Sequence, residues 1–224
     1  AKKIRGSSEN ILFSTNGVVY DDFHITSRLP VPTDMKKIVD QNKPIIGYYG
    51  ALAKWFDYDL VEEIALKHKD WNIILIGIDY DDSFKKHKYF KYLSNVYYLG
   101  VKNYKDLIKY GNCCDALIIP FIINEITLST SPVKVFEYMS MEKPIVTTDL
   151  PECRKYKSVK IGKTPEEFIL LLEKCIKDKN NKKYKELLRK EALENTWTNK
   201  VNEILEFLKE SEKREKKIIW KKLK

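Results

Sequence analysis

The sequence predicts an α/β protein, doubly wound around a parallel sheet (Rossmann-like), and two observations carry that prediction. From Pro44 onward, short apolar runs rich in β-branched residues alternate with helix-length stretches, the pattern of strands buried on both faces and joined by helices. The connections are long enough for right-handed crossovers, which make successive strands parallel. At 224 residues and 43% hydrophobic composition, the chain can bury a sizeable core.

Taken in order, residues 1–9 are polar and read as loose, and Ile11–Ser14 reads as a short strand before an Asn16-Gly17 turn. Val18–Phe23 leads into a polar, proline-containing stretch through Lys43, so 1–43 reads as a lead-in from a preceding domain. The alternation then predicts strands at Ile45–Tyr49, Trp71–Ile76, Val96–Leu99, Ala116–Pro120, Pro144–Val146 and Val159–Ile161. Helices are predicted at Tyr58–Lys67, Ser83–Leu93 and Tyr104–Tyr110, then from a Thr164 cap through Lys177, with two more to follow. This domain spans 44–210, and 211–224 is a basic tail. In the last helix, Trp197, Val201, Ile204, Leu205 and Leu208 form a stripe expected to pack back on the body.

The stretch Asp115–Asp149 organises the rest, reading as strand, long loop, helix, strand. Ser131 is expected to cap a helix whose first position is Pro132, where a missing N–H costs nothing. Such a helix start, facing the loop Asn124–Thr130, attracts phosphate. Lys134 and Glu137, three apart, share a face: the cation suits a diphosphate and the carboxylate suits ribose hydroxyls. The plainer reading of the same spacing is an exposed ion pair.

Composition narrows the alternatives. No apolar run approaches the roughly 18 residues of a membrane span, the first ten residues carry no apolar leader, and a cytoplasmic location is expected. Cys113, Cys114, Cys153 and Cys175 lack metal or disulfide spacing and read as free thiols. His24, His68 and His87 share no ligand spacing, so no metal is expected. No GxGxxG follows a strand, which argues against a dinucleotide cofactor. Of the net charge of +9, most sits in the tail, where seven cations face one carboxylate between 213 and 224. A nearly balanced body argues against a nucleic-acid partner. Ile218, Ile219, Trp220 and Leu223 among those cations suit the inner face of an anionic membrane, while a solvated tail docking on a preceding domain is the other reading. Tyr48, Tyr49, Tyr97 and Tyr98 lie in strand-like runs and read as core.

The segment SPVKVFEYMSMEKPIVTTDLPE resembles the signature of nucleotide-sugar glycosyltransferases of the GT-B fold (family 4/group 1-like), with a Ser-Pro-x-Lys-x-x-Glu-Tyr helix and a Gly-Lys-Pro-Val-like strand. Asn16-Gly17-Val18 resembles the turn opening that family's second domain, and GYYGALAKWFDYD at Gly47–Asp59 resembles its first strand and loop in enzymes of cell-surface polysaccharides. The resemblance implies the C-terminal, donor-binding half of a hexosyltransferase-type enzyme, moving sugar from a nucleoside diphosphate sugar to a glycan or lipid-linked acceptor. It implies that Ser131 and Lys134 meet the diphosphate, Glu137 the ribose, Val101 the base, and Gly50 permits close phosphate approach. Ser129 and Thr130 complete the donor-binding set, Ser129 standing where many retaining members carry a second glutamate. Catalytic groups are expected partly on an N-terminal GT-B domain supplied in cis or in trans, leaving this domain inactive alone. A sugar-nucleotide epimerase half and a non-catalytic nucleotide-binding module remain as alternatives.

Overall fold

A computed structural model describes residues 11–87 and 89–222, the side chains of Lys91 and 215–222 excepted. The loose segment 1–9 and the tail residues Ile218, Ile219, Trp220 and Leu223 singled out above therefore lie outside the described side chains. Six strands form one all-parallel sheet: β1 (Ile45–Tyr49), β2 (Asn72–Ile76), β3 (Val96–Tyr98), β4 (Ala116–Ile119), β5 (Ile145–Thr148) and β6 (Val159–Gly162). Their order is β3-β2-β1-β4-β5-β6. Each lies within two residues of its predicted bounds, because near-continuous Ile, Leu and Val runs have nowhere to go but a sheet covered on both faces. The edge strand β3 is the exception, and Tyr98 is 41% exposed there rather than part of the core.

The helices are α1 (Tyr20–Phe23), α2 (Lys36–Val39), α3 (Tyr58–Lys67), α4 (Ser83–Lys86), α5 (Leu107–Asn112), α6 (Glu125–Leu128), α7 (Lys134–Ser140), α8 (Pro165–Lys177), α9 (Lys182–Glu194) and α10 (Trp197–Lys222). Helices α7 and α8 both pack on β5, which is buried along its length, so the sheet is covered on both sides. Asn95 ties α3 to the edge of the sheet, its amide donating to the carbonyls of Ala65, His68 and Trp71. Thr164 caps α8 as predicted, accepting from the Glu167 N–H with Pro165 at the first helical position.

Three expectations are corrected. Ile11–Ser14 forms no strand. The lead-in is anchored further on, where Val18 bridges Thr196 through bonds with Asn195 and Trp197, and a Cβ at Gly17 would press to 3.0 Å from the Trp197 nitrogen. The helix predicted over Ser83–Leu93 stops at Lys86. His87 leaves it to sit against the rings of Tyr58 and Phe90, and Phe90–Tyr92 makes a separate 3₁₀ turn. Finally, Trp197, Val201, Ile204, Leu205 and Leu208 are 40–53% exposed, so the stripe does not pack on this body. Periodicity reveals that a helix has an apolar face, but not what covers it.

Candidate functional site

In an open parallel sheet ligands collect at the carboxyl ends of the strands where the order reverses. Here β1 has β2 on one side and β4 on the other, so the reversal lies between β1 and β4. The loop after β1 begins at Gly50 and the loop after β4 passes through Phe121. Both meet Lys134, whose Nζ lies 5.0 Å from the Tyr48 ring centre and 4.9 Å from that of Phe121. A Cβ added at Gly50 would stand 2.7 Å from the same nitrogen, and the φ of 143° is one that side-chain-bearing residues rarely adopt. Glycine thus leaves the space that the ammonium borders.

Lys134 and Glu137 are not an exposed ion pair. Glu137 is only 7% exposed, and no hydrogen bond or ion pair reaches the Lys134 ammonium among the described residues. Burial lowers the Lys134 amine to a pKa of about 8, with the Glu137 charge opposing that shift. Burial likewise raises the Glu137 carboxyl, with Tyr49 and Lys134 opposing. The Tyr49 hydroxyl lies near enough to Glu137 for each to influence the other's proton, yet makes no hydrogen bond of ordinary geometry. A cation held against two aromatic faces without a counter-ion is costly unless an anion arrives to meet it.

The other predicted residues distribute unevenly. Ser131 does not cap α7, which begins at Lys134 after an uncapped Val133. Pro132 and Val133 already form a tight turn whose carbonyls accept from Val135 and Phe136, and Asn16 fixes the Ser131 carbonyl by a 2.6 Å bond. The Ser131 hydroxyl is buried and has no hydrogen-bond partner among the described residues. The loop Asn124–Thr130 is partly helical: Asn124 and Thr127 form a capping box on α6. Ser129 and Thr130 close that helix on the Ile126 carbonyl, with Ser129 exposed. Val101 follows Gly100 in the turn after β3 and is 67% exposed.

Sequence reasoning missed several residues. Gly77, ending β2, is obligatory because a Cβ there would lie 1.9 Å from the Gly50 carbonyl oxygen. Tyr138 donates no cap, but its buried hydroxyl accepts from the Tyr49 N–H and so holds α7 against β1. Tyr104, three residues beyond Val101, has its hydroxyl pushed up to about 12 by burial and by Glu137, which brings the turn after β3 to the same carboxylate. The Tyr-rich pattern was legible, but only folding sets those rings around one cation and one carboxylate. A cavity of about 430 Å³ lies at the opposite, amino ends of β4 and β5, lined by Asp115, Lys143 and Lys179. Lys143 donates there to the carbonyls of Asn112 and Cys114, and Lys179 pairs with Asp115. His87, which shares no ligand spacing in the sequence, lies 2.8 Å from Glu62, with a ligand atom of each and of Asp59 all within 4.8 Å of one another.

The order of the sheet, with a basic and an acidic group converging on its switch point, defines a doubly wound, Rossmann-like domain. The chain belongs to the family described as Glycosyl transferases group 1, which matches residues 43–178. TuaH of Bacillus subtilis (strain 168), which bears the name of a teichuronic acid biosynthesis glycosyltransferase, is 25% identical over 211 residues, 92% of this chain and 52% of the relative. A glycosyltransferase of Rickettsia africae superimposes with a TM-score of 0.70 at 18% identity, covering 87% of this chain and 55% of the other. Anabaena Alr3699/HepE, solved with UDP and glucose, gives 0.65 at 16% identity, covering 88% and 56%. The chain thus spans about half the length of the relatives it matches.

Proposed function

We propose that this chain is the donor-binding half of a glycosyltransferase that moves a hexose from a nucleoside diphosphate sugar to a glycan or lipid-linked acceptor in cell-surface polysaccharide synthesis. The observation that carries the reading is the Lys134 ammonium, bordering Gly50 at the β1/β4 switch point, with Glu137 acting on it through its charge but no ion pair or hydrogen bond to it among the described residues. A diphosphate is the dianionic partner that such a cation lacks, and Gly50 allows its oxygens to approach. As the sugar departs, charge builds on the diphosphate, and a fixed, poorly solvated ammonium stabilises that charge by several kcal/mol. Glu137, one turn on, accepts from the ribose hydroxyls, and the Val101 backbone meets the base. The acceptor site and the remaining catalytic groups belong largely to a second domain, in cis or in trans. The co-crystallisation of Alr3699/HepE with UDP and glucose supports this choice of donor class.

The test separates phosphate from ribose recognition. Lys134→Ala is expected to weaken UDP by about 1.5–3 kcal/mol, the scale of a charged hydrogen bond, while leaving uridine unchanged. Glu137→Ala is expected to weaken UDP and uridine alike. Equal binding by folded variants and wild type would remove both roles.

A further inference from the structure

Helix α4 stops at Lys86, and the break sets the next side chain against α3. The His87 N–H still donates to the Ser83 and Phe84 carbonyls, while its ring stacks on Tyr58, centres 5.4 Å apart and planes at 23°, and meets Phe90 edge-on at 4.6 Å. Both rings belong to the core, so the imidazole is held in one orientation, with Nε2 2.8 Å from a Glu62 carboxylate oxygen. Asp59 lies three residues before Glu62, one turn earlier on the same face of α3. One ligand atom from each of the three lies within 4.8 Å of the others.

A hydrogen bond between His87 and Glu62 accounts for two members of this group and leaves Asp59 unexplained. Asp59 is exposed and takes part in no ion pair or side-chain hydrogen bond among the described residues. Lys86, which borders the same open groove of about 540 Å³, directs its ammonium to the Asp81 carbonyl instead. Glu63 adds a third carboxylate to that groove. Calcium and magnesium favour oxygen ligands alone, whereas one imidazole with two carboxylates suits zinc. Zinc holds such atoms at about 2.0–2.2 Å, which puts them about 3.4 Å apart around a tetrahedron. The carboxylates of Asp59 and Glu62 reach that spacing by side-chain rotation, around an imidazole already fixed. The interval in sequence gives no sign of this, because the break at Lys86 is what brings the imidazole to α3.

We propose that Asp59, Glu62 and His87 bind one Zn²⁺ ion, with water in the fourth position, and that the ion clamps α3 to the end of α4. These helices follow β1 and β2, whose loops are already joined by the Leu52–Asp79 bridge, so the ion is a second tie between the same two segments. The site lies outside the donor-binding residues and does not depend on the transferase reading.

The experiment is calorimetry of the full chain, free of any polyhistidine tag, with ZnCl₂ and with MgCl₂ as control, alongside thermal unfolding with zinc and with zinc plus EDTA. The expected result is one Zn²⁺ per chain, no Mg²⁺ bound at the same concentration, and a melting temperature that rises with zinc and returns with EDTA. Asp59→Asn and Glu62→Gln each weaken zinc at least about tenfold and remove the thermal shift, and His87→Gln abolishes binding. Asp59 is exposed and Glu62→Gln keeps a hydrogen-bonding partner for His87, so these two variants preserve the test if His87→Gln fails to fold. No zinc binding by wild type, or equal binding by the two carboxylate variants, overturns the site. Zinc binding without a rise in melting temperature overturns the clamp.

Discussion

The Lys134 ammonium links stability to binding. Its pKa of about 8, against an ordinary 10.5, means that the folded protein holds the charged form less readily than the unfolded chain does. Below about 8 both states are charged and the burial cost is fully present. From there toward 10.5 the folded state releases the proton first, and stability recovers as pH rises. Lys134→Met is therefore expected to be more stable than wild type at pH 7 by about 1 kcal/mol or more, with the gap closing above pH 8 in urea unfolding. A constant gap would show that the amine is not desolvated. Gly77→Ala is expected to be severely destabilising, because its Cβ meets backbone and its φ of 143° adds about 1–3 kcal/mol of strain. Gly50→Ala carries the same φ strain and meets the Lys134 side-chain end and the Tyr48 hydroxyl rather than backbone, so it is expected to lose UDP and to cost stability, but less than Gly77→Ala. Spacing and resemblance singled out Lys134, Glu137 and Gly50, and the structure shows Lys134 bordering Gly50. Gly77 was not singled out, since what makes it obligatory is a carbonyl brought to it from another strand.

At the scale of elements, strands and long capped helices were legible, and short helices and contacts were not. Each strand carries its own burial signal, and Thr164 with Pro165 fixes where α8 begins. The start of α7 depends instead on a tight turn at Pro132 and on Asn16, which lies 115 residues earlier, and no local pattern at Ser131 reports that bond. The α10 stripe makes the difference measurable. Leu205→Ala is expected to change stability by less than about 0.5 kcal/mol, as at an exposed site. Leu188→Ala in α9, whose side chain is fully buried, is expected to cost about 2–5 kcal/mol. Thermal and urea unfolding compare the two, and a large loss at Leu205 would place the stripe against something in solution.

At the scale of the molecule, alternation of strands and helices gave a parallel sheet with helices on both faces. It did not say between which strands the order reverses, because that depends on long-range pairing that leaves no local mark. The reversal between β1 and β4 is what sets Gly50, Lys134 and Phe121 around one space. If a diphosphate fills that space, it must raise the Lys134 pKa from about 8, so binding takes up a proton. The direct measurement is calorimetry of UDP with the full chain at pH 7 and pH 8.5, each in buffers of different ionisation heat, repeated on Lys134→Met. The account predicts little proton uptake at pH 7, clear uptake at pH 8.5, weaker binding at the higher pH, and neither effect in Lys134→Met. UDP binding with no proton linkage at pH 8.5, or linkage that persists in Lys134→Met, would contradict it.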